Sequence, residues 1–70
     1  MTKTNSAGTT FRAIPMKDHP PFGEQWVSLT FSNGAIEEIG RHTNSFENVE
    51  AAERWIDEHM EEPKYSGMAT

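Results

Sequence analysis

Seventy residues without a cysteine can build one modest core, and neither disulfides nor thiolate metal sites can supplement it. The formal charge of −5 is concentrated in residues 36–70, which carry nine Asp/Glu against three Lys/Arg, whereas residues 1–35 carry two against three. That balance argues against wrapping of nucleic acid by bulk electrostatics, which rewards cationic surfaces through counterion release, and it points to a basic protein partner.

Residues 1–9 are small and polar with little to bury, and are expected to form a disordered N-terminal tail. Residues 10–14 (Thr-Phe-Arg-Ala-Ile) alternate as a strand does, with the Phe11 and Ala13 side toward the core, and Pro15 closes the run. Pro20-Pro21 and Gly23 mark a loop leading to the next strand.

Asn33-Gly34 then joins two strand-like runs, and a two-residue Asn-Gly loop of type I′ is the expected turn, because both residues tolerate positive φ. This turn predicts a register with Phe31 opposite Ile36, Leu29 opposite Glu38 and Val27 opposite Gly40 on the core face. The outer face then carries Trp26, Ser28 and Thr30 across from Arg41, Ile39 and Glu37.

Asn48 is suited to cap a helix, and Glu50 just inside complements the positive end of its dipole. Val49, Ala52, Trp55, Ile56, His59 and Met60 recur at three- and four-residue spacing and form the apolar stripe of a helix over about residues 49–61. Glu50, Glu53, Arg54, Asp57, Glu58, Glu61 and Glu62 form the opposite, acidic stripe, and Pro63 ends the run. Residues 63–70 read as a flexible C-terminal tail. The expected architecture is therefore α+β: one domain over residues 10–62, a three-stranded antiparallel sheet packed on a single C-terminal helix (β-β-β-α).

No catalytic set emerges. Glu37 and Glu38 are adjacent on a strand, so their carboxylates point to opposite faces and cannot share a substrate. His19, His42 and His59 lack the spacing of a metal site, and no glycine-rich run leads from a strand into a helix as a nucleotide site requires. Neither an enzyme nor a cofactor or metal is expected. No apolar run resembles a signal peptide or spans a bilayer, so a cytoplasmic protein with no membrane partner is the expectation.

Three segments carry a family resemblance: Phe11-Arg12-Ala13-Ile14, Gly23 with Trp26-Val27, and Phe46-Glu47-Asn48-Val49-Glu50-Ala51-Ala52. Their spacing, over about residues 11–60, resembles that of AP2-like DNA-binding domains and the arm-binding domains of tyrosine integrases. The resemblance implies a sheet whose face away from the helix enters the DNA major groove through Arg and Trp side chains. Trp26 and Arg41 stand where such contacts are made, whereas Glu24 and Glu37 lie on or beside that surface with a sign opposed to phosphate.

The leading expectation is a small non-enzymatic interaction module of the regulatory or phage-encoded inhibitor kind. Its partner would meet the outer sheet face at Trp26, Ser28, Thr30, Glu37, Ile39 and Arg41, or the acidic helix at Glu53, Asp57 and Glu61. The alternatives are an AP2-like DNA-binding domain and an acidic mimic of nucleic acid that blocks a basic partner.

Overall fold

The computed structural model describes residues 2–17 and 23–66. Met1, Asp18, His19, the Pro20-Pro21 pair, Phe22 and residues 67–70 lie outside the described residues. Strands β1 (Thr2–Thr4), β2 (Thr10–Pro15), β3 (Gln25–Thr30) and β4 (Ile36–Ile39) precede helix α1 (Val49–His59) and a short 3-10 turn, Pro63–Tyr65. The strands form one antiparallel sheet in the order β1-β2-β3-β4, so the fold is α+β, with four strands rather than the expected three. The additional strand comes from the stretch that composition reads as a tail.

Strand alternation accounts for the core. Phe11 pairs with Leu29 and Ala13 with Val27, and these side chains share the face against which α1 lies. Phe11, Val27, Leu29, Ala52, Ile56 and Tyr65 are buried, with Ala13, Phe31, Ile39, Phe46, Trp55 and Met60 packed around them. Asn48 caps α1 as expected, its Oδ1 accepting the Ala51 N–H at 2.8 Å. Val49, by contrast, stands exposed at the first turn instead of joining the apolar stripe.

The β3–β4 register differs by one residue from the expected one. Thr30 pairs with Ile36, Leu29 with Glu37, Ser28 with Glu38 and Val27 with Ile39. The reason lies in the turn: Gly34 N–H donates to the Phe31 carbonyl at 2.8 Å, and Phe31 N–H donates to the Ala35 carbonyl at 2.8 Å. The loop is thus Ser32-Asn33-Gly34, three residues long, and only Gly34 has positive φ, at 91°. Asn33 stays at negative φ and accepts the Ala35 N–H at 3.0 Å through its side chain. A three-residue loop with glycine last is the next most common hairpin closure after the two-residue one. The one-residue slip moves Ile39 and Glu37 to the helix side and sends Ile36, which is 67 % exposed, to the outer face.

The β1–β2 hairpin closes by the same device over Ser6-Ala7-Gly8, with Asn5 and Thr9 as the closing pair. Asn5 is buried and uses its whole amide: Oδ1 accepts from Ala7 N–H and Thr9 N–H, and Nδ2 donates to the carbonyls of Met60 and Tyr65 at 2.7 and 2.8 Å. Thr9 donates its hydroxyl to the same Tyr65 carbonyl at 2.8 Å. Around this anchor, Lys3 pairs with Asp57, and Ser6 donates its hydroxyl to Glu61 at 2.6 Å. The amino-terminal hairpin is therefore fastened to the end of α1 by contacts more than fifty residues apart in sequence.

Beyond α1, part of the expected C-terminal tail belongs to the core. Tyr65 is 3 % exposed and meets Phe11 edge-on, ring centroids 5.4 Å apart. Burial raises the pKa of its hydroxyl above the ordinary 10.0, with Lys64 pulling the other way and Glu37 adding to the rise. Because the unfolded chain ionises this hydroxyl first, it binds fewer protons than the native state above about pH 10, and stability falls as pH rises through that range. The urea midpoint should accordingly hold from about pH 7 to 9 and decline above that, with the decline reduced in Tyr65→Phe. An alkaline limb unchanged by that substitution would count against a buried neutral Tyr65.

Candidate functional site

The helix covers one face of the sheet, and the register fixes what stands on the other. One row across the outer face runs Thr4, Thr10, Thr30, Ile36; the next runs Thr2, Arg12, Ser28, Glu38; the third begins with Ile14 beside Trp26. Ser28 and Thr30 thus occupy the outer face as expected, in a hydroxyl-rich neighbourhood that includes a Thr4–Thr10 contact at 3.4 Å. Glu37 and Ile39 do not. Ile39 packs against the core and Glu37 lies on the helix side of the sheet near Tyr65.

Trp26 and Arg41 do meet, by a different route from the expected strand pairing. In the observed register the position opposite Trp26 is Gly40, whose φ of +87° turns the chain out of β4. A Cβ at this position would lie 3.1 Å from the Asn44 carbonyl oxygen and 3.3 Å from the Phe46 ring, so the kink needs glycine both for its φ and for its space. Past the kink, Arg41 Cζ sits 4.8 Å from the centre of the Trp26 ring, and its Nη1 donates to Glu38 Oε2 at 3.0 Å. The chain then returns to the sheet at Phe46, whose backbone exchanges hydrogen bonds of 2.7 and 2.8 Å with Gln25.

Beside this pair lies a hollow of about 340 Å³ lined by Ile14, Pro15, Met16, Lys17, Trp26, Arg41 and His42. The β2–β3 ladder runs on to Met16, whose N–H donates to the Glu24 carbonyl at 2.8 Å, placing Met16 on the same side as Ile14. Glu24 is engaged elsewhere, accepting the Ser45 hydroxyl at 2.6 Å. Ile14, Met16, Lys17 and His42 line the hollow without being singled out by sequence reasoning, and Arg12 stands in the adjoining row of the outer face. Parity on the strand groups Arg12 with Ile14, but the sequence carries no local signal for the β2–β3 register that sets Ile14 beside Trp26.

The helix residues fare differently. Asp57 is paired with Lys3, and Glu61 accepts both the N–H and the hydroxyl of Ser6, so two of the three candidate carboxylates fasten β1 and its turn. Glu53 is half-buried. Among the described residues no group of three His, Asp or Glu gathers as a metal site, and no helix is long and apolar enough to cross a membrane. The chain matches no known family, no curated protein and no solved structure.

Proposed function

We propose that the protein is a non-enzymatic interaction module whose partner docks on the sheet face away from α1, around Trp26. One observation carries this reading: a partly buried tryptophan, flanked by Ile14 and an arginine, borders a hollow on the face that the protein's own helix leaves uncovered. Tryptophan and arginine anchors beside small pockets dominate binding energy at protein interfaces. A basic partner drawn to the acidic helix is less well supported, since Asp57 and Glu61 have partners within the chain. The same engagement weakens the reading of the helix as a mimic of nucleic acid.

Affinity capture from the source cell with the wild-type chain and with Trp26→Ala tests the proposal. Loss of an anchoring tryptophan should cost about 2 kcal/mol or more, roughly a thirtyfold loss of affinity. A partner that binds Trp26→Ala as tightly as wild type would refute it, provided both proteins melt alike.

The AP2-like reading gains Arg12 and Lys17 on or near the outer face, in addition to Arg41. Three cations are few for a duplex backbone, and Glu38 already neutralises one of them. Anisotropy titrations with duplex DNA at physiological salt should therefore show no binding. Micromolar affinity that weakens with salt, and again in Arg41→Ala, would favour the DNA-binding reading instead.

A further inference from the structure

The described lining of the hollow beside Trp26 carries side chains of the sign opposite to that of the chain as a whole. Ile14, Pro15, Met16 and Trp26 line it with apolar surface, Lys17, Arg41 and His42 add its polar edge, and no carboxylate stands among the described lining residues. The chain as a whole stands at −5. Among the described residues, the two carboxylates nearest in register each have a partner, Glu24 in Ser45 and Glu38 in Arg41. A volume of about 340 Å³ is at the small end of the roughly 300–1,000 Å³ typical of ligand pockets, so it suits one or two side chains.

We infer that this hollow receives an acidic segment of a partner protein, with one apolar side chain against Ile14 and Trp26 and its neighbouring carboxylates on Arg41 and Lys17. The inference rests on the docking reading above and adds the chemistry of the partner. Glu38 shows how the rim works: in the free protein its carboxylate occupies the Arg41 guanidinium at 3.0 Å, as an incoming carboxylate would. Both members of this pair are more than one-third exposed, so an incoming carboxylate can exchange for Glu38 at little cost. Glu38 is thus an internal competitor, and removing its charge should strengthen binding. A purely structural role for the pair predicts no such gain.

The test is a titration of the isotope-labelled 70-residue chain followed by NMR. The probes are a short peptide with Leu-Phe flanked by Asp and Glu, its twin with Asn and Gln at the acidic positions, a twin with Lys there, and a short oligothymidylate. The acidic peptide should shift the Trp26 indole N–H and the amides of Lys17 and Arg41, and should bind about tenfold more tightly than its amide twin. Arg41→Gln should abolish most of that preference, while Glu38→Gln should tighten the acidic peptide by about threefold at low salt. Equal binding of the acidic and amide peptides, preference for the lysine peptide, tighter binding of the oligothymidylate, or no shift at Trp26 would each overturn the inference. So would weaker binding to Glu38→Gln, with melting curves confirming that the variants remain folded. A partner captured from cells that still depends on Trp26 would leave the docking reading standing in any of those cases.

Discussion

Phe11→Ala should leave the protein largely unfolded at ambient temperature. Phe11 is fully buried, pairs with Leu29 on the neighbouring strand and receives the Tyr65 ring edge-on at 5.4 Å. Truncating a buried phenylalanine costs about 3–5 kcal/mol, through lost transfer free energy and the cavity left behind. A domain of this size has a net stability of only about 3–5 kcal/mol to lose. The cavity would open at the point where β2, β3 and the Pro63–Tyr65 turn converge. Far-ultraviolet circular dichroism and urea titration would measure the effect. A cooperative transition with a loss below about 1 kcal/mol would mean that Phe11 is not the centre of the core.

The same convergence explains which parts of the fold can be read from sequence. Helix α1 was legible because its signals are local: Asn48 caps it through a bond three residues away, and Ala52, Trp55 and Ile56 recur at helical spacing. Strands β2 and β3 were legible from their alternation. The hairpin register was not, because an Asn-Gly pair is compatible with a two-residue loop and with a three-residue loop ending at the glycine. The two closures differ by one residue, and that residue exchanges Ile36 for Ile39 in the core. Strand β1 was not legible either. Thr2–Thr4 has no apolar residue, and what holds it is tertiary: Lys3 with Asp57, and Asn5 with the end of α1. Tyr65 likewise has no periodic partners to announce it.

The candidate site divides in the same way. Trp26 was visible as an aromatic on the outer face, and its partner Arg41 was identified from a register that proved to be off by one. The positive φ of Gly40 compensates by carrying Arg41 back over the ring. The remainder of the hollow depends on the pairing of Ile14 with Trp26, a registration for which the sequence carries no local signal. Charge summed over the chain hides how it is distributed over the fold. The composition sum is acidic, yet the acidic residues concentrate in and around α1, while Arg12, Lys17 and Arg41 lie on or beside the uncovered sheet face.

The second large effect should come from Asn5, a residue with no apparent role in the sequence. Its side chain makes four hydrogen bonds, two accepted from the Ala7 and Thr9 N–H groups and two donated to the Met60 and Tyr65 carbonyls. Asn5→Ala would strand buried backbone groups, at about 1–3 kcal/mol for each one left unsatisfied, and should destabilise the protein by about 3 kcal/mol in total. Asn5→Asp is nearly the same shape but places a carboxylate against two carbonyl oxygens where an amide donated to both. Desolvation and that repulsion raise the pKa of the new carboxyl in the folded state, so any stability it retains is present when it is protonated and lost as pH rises through its folded pKa. Measured against wild type, Asn5→Asp should therefore be more destabilised at about pH 7 than at about pH 4, whereas the deficit of Asn5→Ala should not change with pH. Urea midpoints for the three proteins at both pH values would decide. A cost below about 1 kcal/mol for Asn5→Ala would mean that the amino-terminal hairpin is not fastened to the rest of the fold.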